Sequence, residues 1–290
     1  MKTAKLAKSY RVDDGKHFKL KDFDPADTAH WKSVDEANDH LQKDIECMED
    51  LQAKLYAQDS WSLLLIFQAM DAAGKDGTIK HVMSGVNPEG VQVYSFKQPS
   101  AKELQHDFLW RTTMNLPERG RIGIFNRSYY EEVLVVRVHS KLLEAEKLPP
   151  SLLTKNIWDE RFEDIRAFER HMARGGTVIR KFFLHLSKKE QKKRFLARLD
   201  EPQKNWKFSA DDIHERKYWD DYQNAYEEMI RGTASKHAPW YVIPADNKWF
   251  THLAVSAAIV EALEDLKLSY PKVGAAQGKA LAAARKLLEK

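Results

Sequence analysis

The stretch Trp61-Ser-Leu-Leu-Leu-Ile-Phe67-Gln-Ala-Met-Asp71-Ala-Ala-Gly74-Lys75-Asp76-Gly77-Thr78 decides the fold. Its first seven residues are apolar and dense, the pattern of a strand covered on both faces, as in parallel sheets. A turn with two glycines follows, and a helical stretch runs on to about Ser84. A buried strand, a glycine-bearing turn and a helix, in that order, are the setting a phosphate-binding loop needs. Gly74 and Gly77 let backbone N–H groups approach an anion, and the helix N-terminus adds a favourable dipole. Lys75 offers a mobile cation to phosphate oxygens, and Asp71 a carboxylate that can reach Mg²⁺. The match to G-x-x-x-x-G-K-[ST] is incomplete, because Ala69 stands at the first glycine and Asp76 where Ser or Thr helps hold the metal. The plain alternative is a glycine-rich turn with incidental charges.

Outward from this point the chain alternates. Toward the N-terminus, Leu41, Ile45, Met48, Leu51 and Leu55 recur at steps of three and four behind a Ser33/Glu36 capping box, which predicts a helix. The first 30 residues are polar and aperiodic and are expected to form a surface arm. Toward the C-terminus, strands are predicted at Val91–Phe96, Arg121–Phe125, Thr177–Leu186 and Trp240–Ile243. Helices are expected from Ser100 to about Met114, from Lys155 to Arg174 (stopped by Gly175-Gly176), over 187–199, over 210–231, and over 248–267. Strands alternating with helices predict an α/β fold with a central parallel sheet. The Ala/Lys/Leu-rich tail from Gly274 is expected to be a loosely attached helix without chemistry.

The third predicted strand ends in Asn126-Arg127-Ser128-Tyr129-Tyr130-Glu131. Ligands of open α/β sheets bind beyond the carboxyl ends of the strands. If the first and third predicted strands are neighbours, Asp71, Asn126 and Arg127 face one crevice, where Asn126 would orient a metal-bound water and Arg127 clamp a phosphoryl group; alternatively Arg127 merely pairs with Glu131 or Glu132. Behind the fourth strand, Ser187-Lys-Lys-Glu-Gln-Lys-Lys-Arg194-Phe-Leu-Ala-Arg198 places Arg194 and Arg198 on one helix face, with Lys204 and Lys207 beyond. Such runs are often only a solvated face; in a phosphotransfer fold they suit a lid over a polyanion longer than one nucleotide.

The bulk properties set bounds. The 290 residues are 43% hydrophobic and 31% charged, enough apolar content to fill a core. The formal charge of +4 and the lack of aromatics interleaved with the basic run weigh against a nucleic-acid binder. One cysteine, Cys47, excludes an internal disulfide or a multi-cysteine zinc site. No apolar run approaches the roughly 18 residues of a membrane span, and no secretory leader is visible, so a cytoplasmic location is expected. His81, His139 and His185 are read as structural, since no pattern groups them for metal binding.

Three segments, Asp71–Gly90, Phe125–His139 and Phe182–Tyr222, resemble the polyphosphate kinase 2 family, with the likeness running from about residue 10 to 270. The FNRSYYEE form is similar to the branch called class III, which phosphorylates both AMP and ADP. The resemblance implies a P-loop kinase fold related to thymidylate kinase, three-layered α/β/α, with a kinase domain over 1–270, a helical lid over about 187–231 and a tail over 271–290. It implies phosphoryl transfer from inorganic polyphosphate to AMP or ADP, and also GMP or GDP, forming ADP or ATP, with Mg²⁺ or Mn²⁺, in a homodimer or homotetramer. It assigns catalysis to Asp71, Lys75, Asn126 and Arg127, and the metal to Asp71 and Asn126. Other branches carry Asp at the position of Asn126, with Glu131 here as the nearby carboxylate. The phosphate-binding set is then Ala72, Ala73, Gly74, Lys75, Asp76, Gly77, Thr78, Lys80, Arg127, Arg194 and Arg198, and Arg111 and Glu131 fall to the nucleotide. A nucleoside or nucleotide monophosphate kinase using ATP is the rival reading.

Overall fold

A computed structural model describes residues 2–289. Six strands form one sheet: β1 (Arg11–Val12), β2 (Ser62–Gln68), β3 (Val91–Ser95), β4 (Ile122–Asn126), β5 (Thr177–His185) and β6 (Trp240–Pro244), in the spatial order β1-β6-β5-β2-β4-β3. All neighbours are parallel except β1, which runs antiparallel to β6. β2 is covered on both faces. Leu63, Leu65 and Phe67 enter one core with α2 (Val34–Gln58), α3 (Lys75–Val82) and α10 (Lys248–Glu264), while Leu64 and Ile66 enter the other with α6 (Ile157–Arg174) and α9 (Trp219–Thr233). This two-sided burial is why the β2 sequence is continuously apolar rather than alternating. Among the described residues no helix is long and apolar enough to cross a membrane.

The two central strands expected to meet do so: β2 pairs with β4 in a register that sets Phe67 against Asn126. β2 also pairs with β5. The chain therefore leaves β2 toward one edge of the sheet and later returns to its other side, and a crevice opens where the order reverses.

Three expectations are corrected. The first 30 residues are not merely a surface arm. α1 (Lys2–Ser9) and β1 bury Leu6, Ala7, Tyr10 and Val12, and Phe18 and Leu20 follow. The pattern is invisible because each element is too short to show a period. The stretch from Ser100 to Met114 is not one helix. Its capping box forms, with Ser100 and Glu103 exchanging hydrogen bonds of 2.6 and 3.3 Å. Asp107 then takes the Leu109 amide at 3.0 Å and restarts the chain as α4 (Trp110–Thr113). The helix over 210–231 is split into α8 (Ala210–Glu215), a 3₁₀ turn and α9. Lys80, expected to bind phosphate, is exposed on α3 and does not line the cavity described below. The remaining helices are α5 (Val135–Val138), α7 (Lys188–Asp200), capped by Ser187, and α11 (Ala275–Leu288), whose Leu281, Leu287 and Leu288 are exposed.

Candidate active site

Two cavities meet at the carboxyl ends of β2 and β4. The larger, about 710 Å³, is walled by the 71–78 turn, the start of α10 and the lid segment after β5. Eight Lys and Arg side chains line it against two Asp, so the mild charge of the whole chain is concentrated here. The smaller, about 390 Å³, carries six carboxylates beside Met70, Leu104, Val135, Leu142, Tyr222 and Tyr226. Asp71, Lys97, Gln98 and Arg127 line both.

The turn is strained where it faces the larger cavity. Ala72 has φ 64 and Gly74 φ 105, both left-handed. A non-glycine residue held there costs on the order of 1–3 kcal/mol. Arg127, the residue after β4, shares φ 64, and its amide donates to the Phe67 carbonyl at 3.0 Å, which locks the end of β4 onto β2. α3 starts at Lys75 with no side-chain cap, so its first amides have no partner within the helix. Lys75 Nζ donates to the Ala69 carbonyl at 3.0 Å. Desolvation, with Arg127 nearby, pushes this ammonium below the usual lysine range.

Arg127 stands between two carboxylates, 3.2 Å from Asp71 Oδ1 and 3.5 Å from Glu131 Oε2. Glu131 holds its charge up and Asp71 adds to the effect, against the cost of burial. Burial pushes the Glu131 carboxyl up, with Arg127 and Lys75 opposing. Arg127 therefore pairs with Glu131, as one of the two sequence readings has it, and also lines the crevice shared by both cavities. Asn126 Nδ2 donates to Asp76 Oδ1 at 2.6 Å, which leaves its carbonyl oxygen as acceptor.

Arg194 does something the sequence did not foretell. All five of its N–H groups are engaged: Nε with Glu190 at 3.0 Å, Nη1 with the Ala72 and Ala73 carbonyls at 3.0 and 2.8 Å, and Nη2 with the Ala245 and Asp246 carbonyls at 2.6 and 3.1 Å. Although Arg194 lines the larger cavity, where it was expected to bind phosphate, its guanidinium here braces the turn with every N–H engaged. Gln191 helps, donating to the Asp71 carbonyl at 3.0 Å. The base of the predicted lid is thus tied to the phosphate loop. Arg198, one turn on, keeps Nε and Nη2 unengaged among the described residues and uses Nη1 on Asp212 and the Lys207 carbonyl. Arg111 lies on the wall of the smaller cavity, donating to the Lys97 carbonyl at 2.7 Å and standing 3.7 Å from Glu132.

Behind the site, Tyr129 and Tyr130 both donate to Glu169 Oε1, at 2.9 and 2.7 Å, and Lys181 bridges Glu169 Oε2, the Tyr130 hydroxyl and the Thr233 carbonyl at 2.7, 2.9 and 2.9 Å. The ion pair is wholly buried. It fixes the loop that presents Arg127 and Glu131. Nothing in the sequence pairs Glu169 with Lys181, since they lie on different elements. Lys97 and Lys248 were also missed; Lys97 lies two residues past the end of β3, where the carboxyl-end rule applied to that strand would have found it. His81 lies in the wall of the larger cavity against His252 rather than in a purely structural position.

A family model described as polyphosphate kinase 2 matches residues 34–271. The chain is 54% identical over 284 residues to an ADP-polyphosphate phosphotransferase of Rhodopseudomonas palustris, covering 98% of each. It is 47% identical over 266 residues to an AMP/ADP-polyphosphate phosphotransferase of Meiothermus ruber, covering 91% of this chain and 96% of that one. The crystal structure of polyphosphate kinase 2 from Arthrobacter aurescens superposes with a TM-score of 0.87 at 39% identity over 96% of both chains. On the sheet order, the phosphate-loop geometry and these likenesses together, the chain belongs to the polyphosphate kinase 2 family.

Proposed function

We propose that this chain transfers the terminal phosphoryl group of inorganic polyphosphate to AMP or ADP, with guanine nucleotides as further acceptors. The observation that carries the reading is the contact of two unlike cavities along Asp71 and Arg127. The cation-rich one suits a chain of condensed phosphates. The half-apolar one suits a nucleoside, with its phosphate pointing at the shared edge. A kinase using ATP on both sides would need no eight-cation chamber, which disfavours that reading, as do the names of the relatives.

The acceptor phosphate oxygen attacks the terminal phosphorus in line, a P–O bond forms, and the bond to the shortened polyphosphate breaks. Nucleotide phosphates are already ionised near neutral pH, so positioning and charge neutralisation carry the step. Lys75 and the α3 amides would grip the transferring group from the polyphosphate side. Arg127, held edge-on by Asp71 and Glu131, spans the two cavities and follows the charge as it moves. Arg198, Lys204, Lys207 and Lys248 would hold the rest of the polymer.

Among the described residues no group of three metal-ligating side chains exists. That fits Mg²⁺ (or Mn²⁺), which is usually held by one or two carboxylates together with substrate phosphates. Asp71 and the Asn126 carbonyl would hold it, and when bound it neutralises phosphate charge. The resemblance supports a homo-oligomeric enzyme at work in the cytoplasm.

The test is product analysis after incubating AMP, and separately ADP, with Mg²⁺ and either polyphosphate or ATP. Formation of ADP and ATP from polyphosphate is expected. Conversion of AMP with ATP alone, and none with polyphosphate, would overturn the proposal.

A further inference from the structure

The larger cavity ends on two histidines that no assigned role uses. His81, on α3, and His252, on α10, stack face to face with ring centroids 4.5 Å apart and planes 18° apart. Both line the cavity. His81 Nδ1 lies 2.7 Å from the Gly77 carbonyl, an acceptor, so Nδ1 carries the hydrogen and Nε2 is left as the acceptor of the neutral ring. The phosphate loop thus orients the outer ring of the pair through its own backbone.

Every element packed around the pair contributes charge. On α10, Lys248 acts on His252 directly; Arg194 and Glu190 of α7, with Lys204 and Glu201 after it, act in turn on Lys248; and α3 adds Asp76 to the same cavity lining. Cations dominate the lining of the cavity, and His81 and Lys248 oppose a proton on His252. Burial first, then His81 and Lys248, hold His252 down at about 4. A polyanion in the cavity reverses the sign of that field. An opposite charge within about 4–6 Å favours the charged form by roughly 1–3 pKa units.

Building on the polyphosphate reading, we propose that the stacked His81–His252 pair is a proton-accepting subsite for the polyphosphate chain, so that the polymer binds together with a proton. Of the two rings, His252 is the one held neutral in the free protein, where a permanent cation would add to the repulsion inside the chamber. It becomes cationic only when the polymer arrives. Binding then tightens as the pH falls through the interval between the free and the bound pKa values. The direction is the reverse of the polymer's own behaviour, since protonating its terminal phosphates removes charge and weakens binding.

The test measures long-chain polyphosphate binding calorimetrically at pH 7.5 and 5.5, in buffers of different ionisation enthalpy, for the whole chain and for His252→Asn and His81→Asn, with circular dichroism to check folding. The wild type is expected to take up protons on binding, and its affinity should gain about five- to tenfold over His252→Asn between the two pH values. Because both proteins meet the same polymer, its own protonation cancels in the ratio. Independently of any variant, the imidazole carbon–proton resonances of His252 should move to a higher titration midpoint when polyphosphate is added. Equal pH slopes and an unmoved midpoint overturn the inference while leaving the polyphosphate reading intact. No binding of polyphosphate at any pH overturns that reading instead.

Discussion

Arg194→Lys separates two roles that look alike in the sequence. A lysine keeps the charge but offers three N–H groups on one atom, against five in a planar fork. The fork reaches the Ala72 and Ala73 carbonyls on one side and the Ala245 and Asp246 carbonyls on the other, with distances of 2.6 to 3.1 Å. Arg194 is only 9% exposed, so carbonyls that lose their donor are not simply rehydrated. Each abandoned buried acceptor costs about 1–3 kcal/mol, and at least two are abandoned, giving a total of roughly 3–5 kcal/mol. For a chain of this size that lowers the melting temperature by roughly 6–12 °C. Thermal melts followed by circular dichroism read the loss directly, and steady-state kinetics read the consequence. kcat should fall, because the Ala72–Gly74 backbone that positions Asp71 and Lys75 loses its brace. An unchanged melt accompanied by a raised KM for polyphosphate would refute the reasoning and return Arg194 to the phosphate ligands.

Lys75→Ala and Arg127→Ala should fold with near-normal melting temperatures yet lose on the order of 10³-fold or more in kcat, since each removes a cation from the transferring group; a loss under tenfold in either removes that residue from the mechanism. Polyphosphate affinity should fall steeply with added salt, since a polyanion chamber releases counterions as it fills, and a flat salt profile contradicts the reading of the larger cavity. Glu132 is buried, and burial followed by the nearby Glu146 pushes its carboxyl from 4.5 up to about 7. Its folded value is raised, so the fold is favoured below the unfolded value and loses that support as the pH rises through about 7, on the order of 3 kcal/mol in all. Melting temperatures of Glu132→Gln should vary less between pH 5 and 7.5 than those of the wild type, and parallel curves would count against this.

Much of the architecture lies open in the sequence because it rests on local rules. β2 shows as an unbroken apolar run because it is covered twice. Ser33 shows as a cap because its hydroxyl takes the amide of Glu36 at 3.2 Å. Asp71, Lys75, Asn126 and Arg127 show because ligands gather where parallel strands end, and the pairing of β2 with β4 brings these four into one place. The long helices were legible by period. The short pieces, α1, β1 and α4, were not, because a few residues carry no period and take their conformation from what they pack against.

Sequence alone determined the class of fold, the position of the phosphate loop and the density of positive charge after β5. Tertiary structure decided what each charge does. Arg194 and Arg198 sit one helical turn apart with the same side chain, yet one spends its Nη donors on carbonyls of two distant loops and its Nε on Glu190, while the other engages only Nη1 among the described residues. Glu169 meets Lys181, and His81 meets His252, across separations along the chain that no spacing rule spans. A side chain's role follows from which partners satisfy its hydrogen bonds and how much water it has lost, and both are settled only when remote segments close on one another.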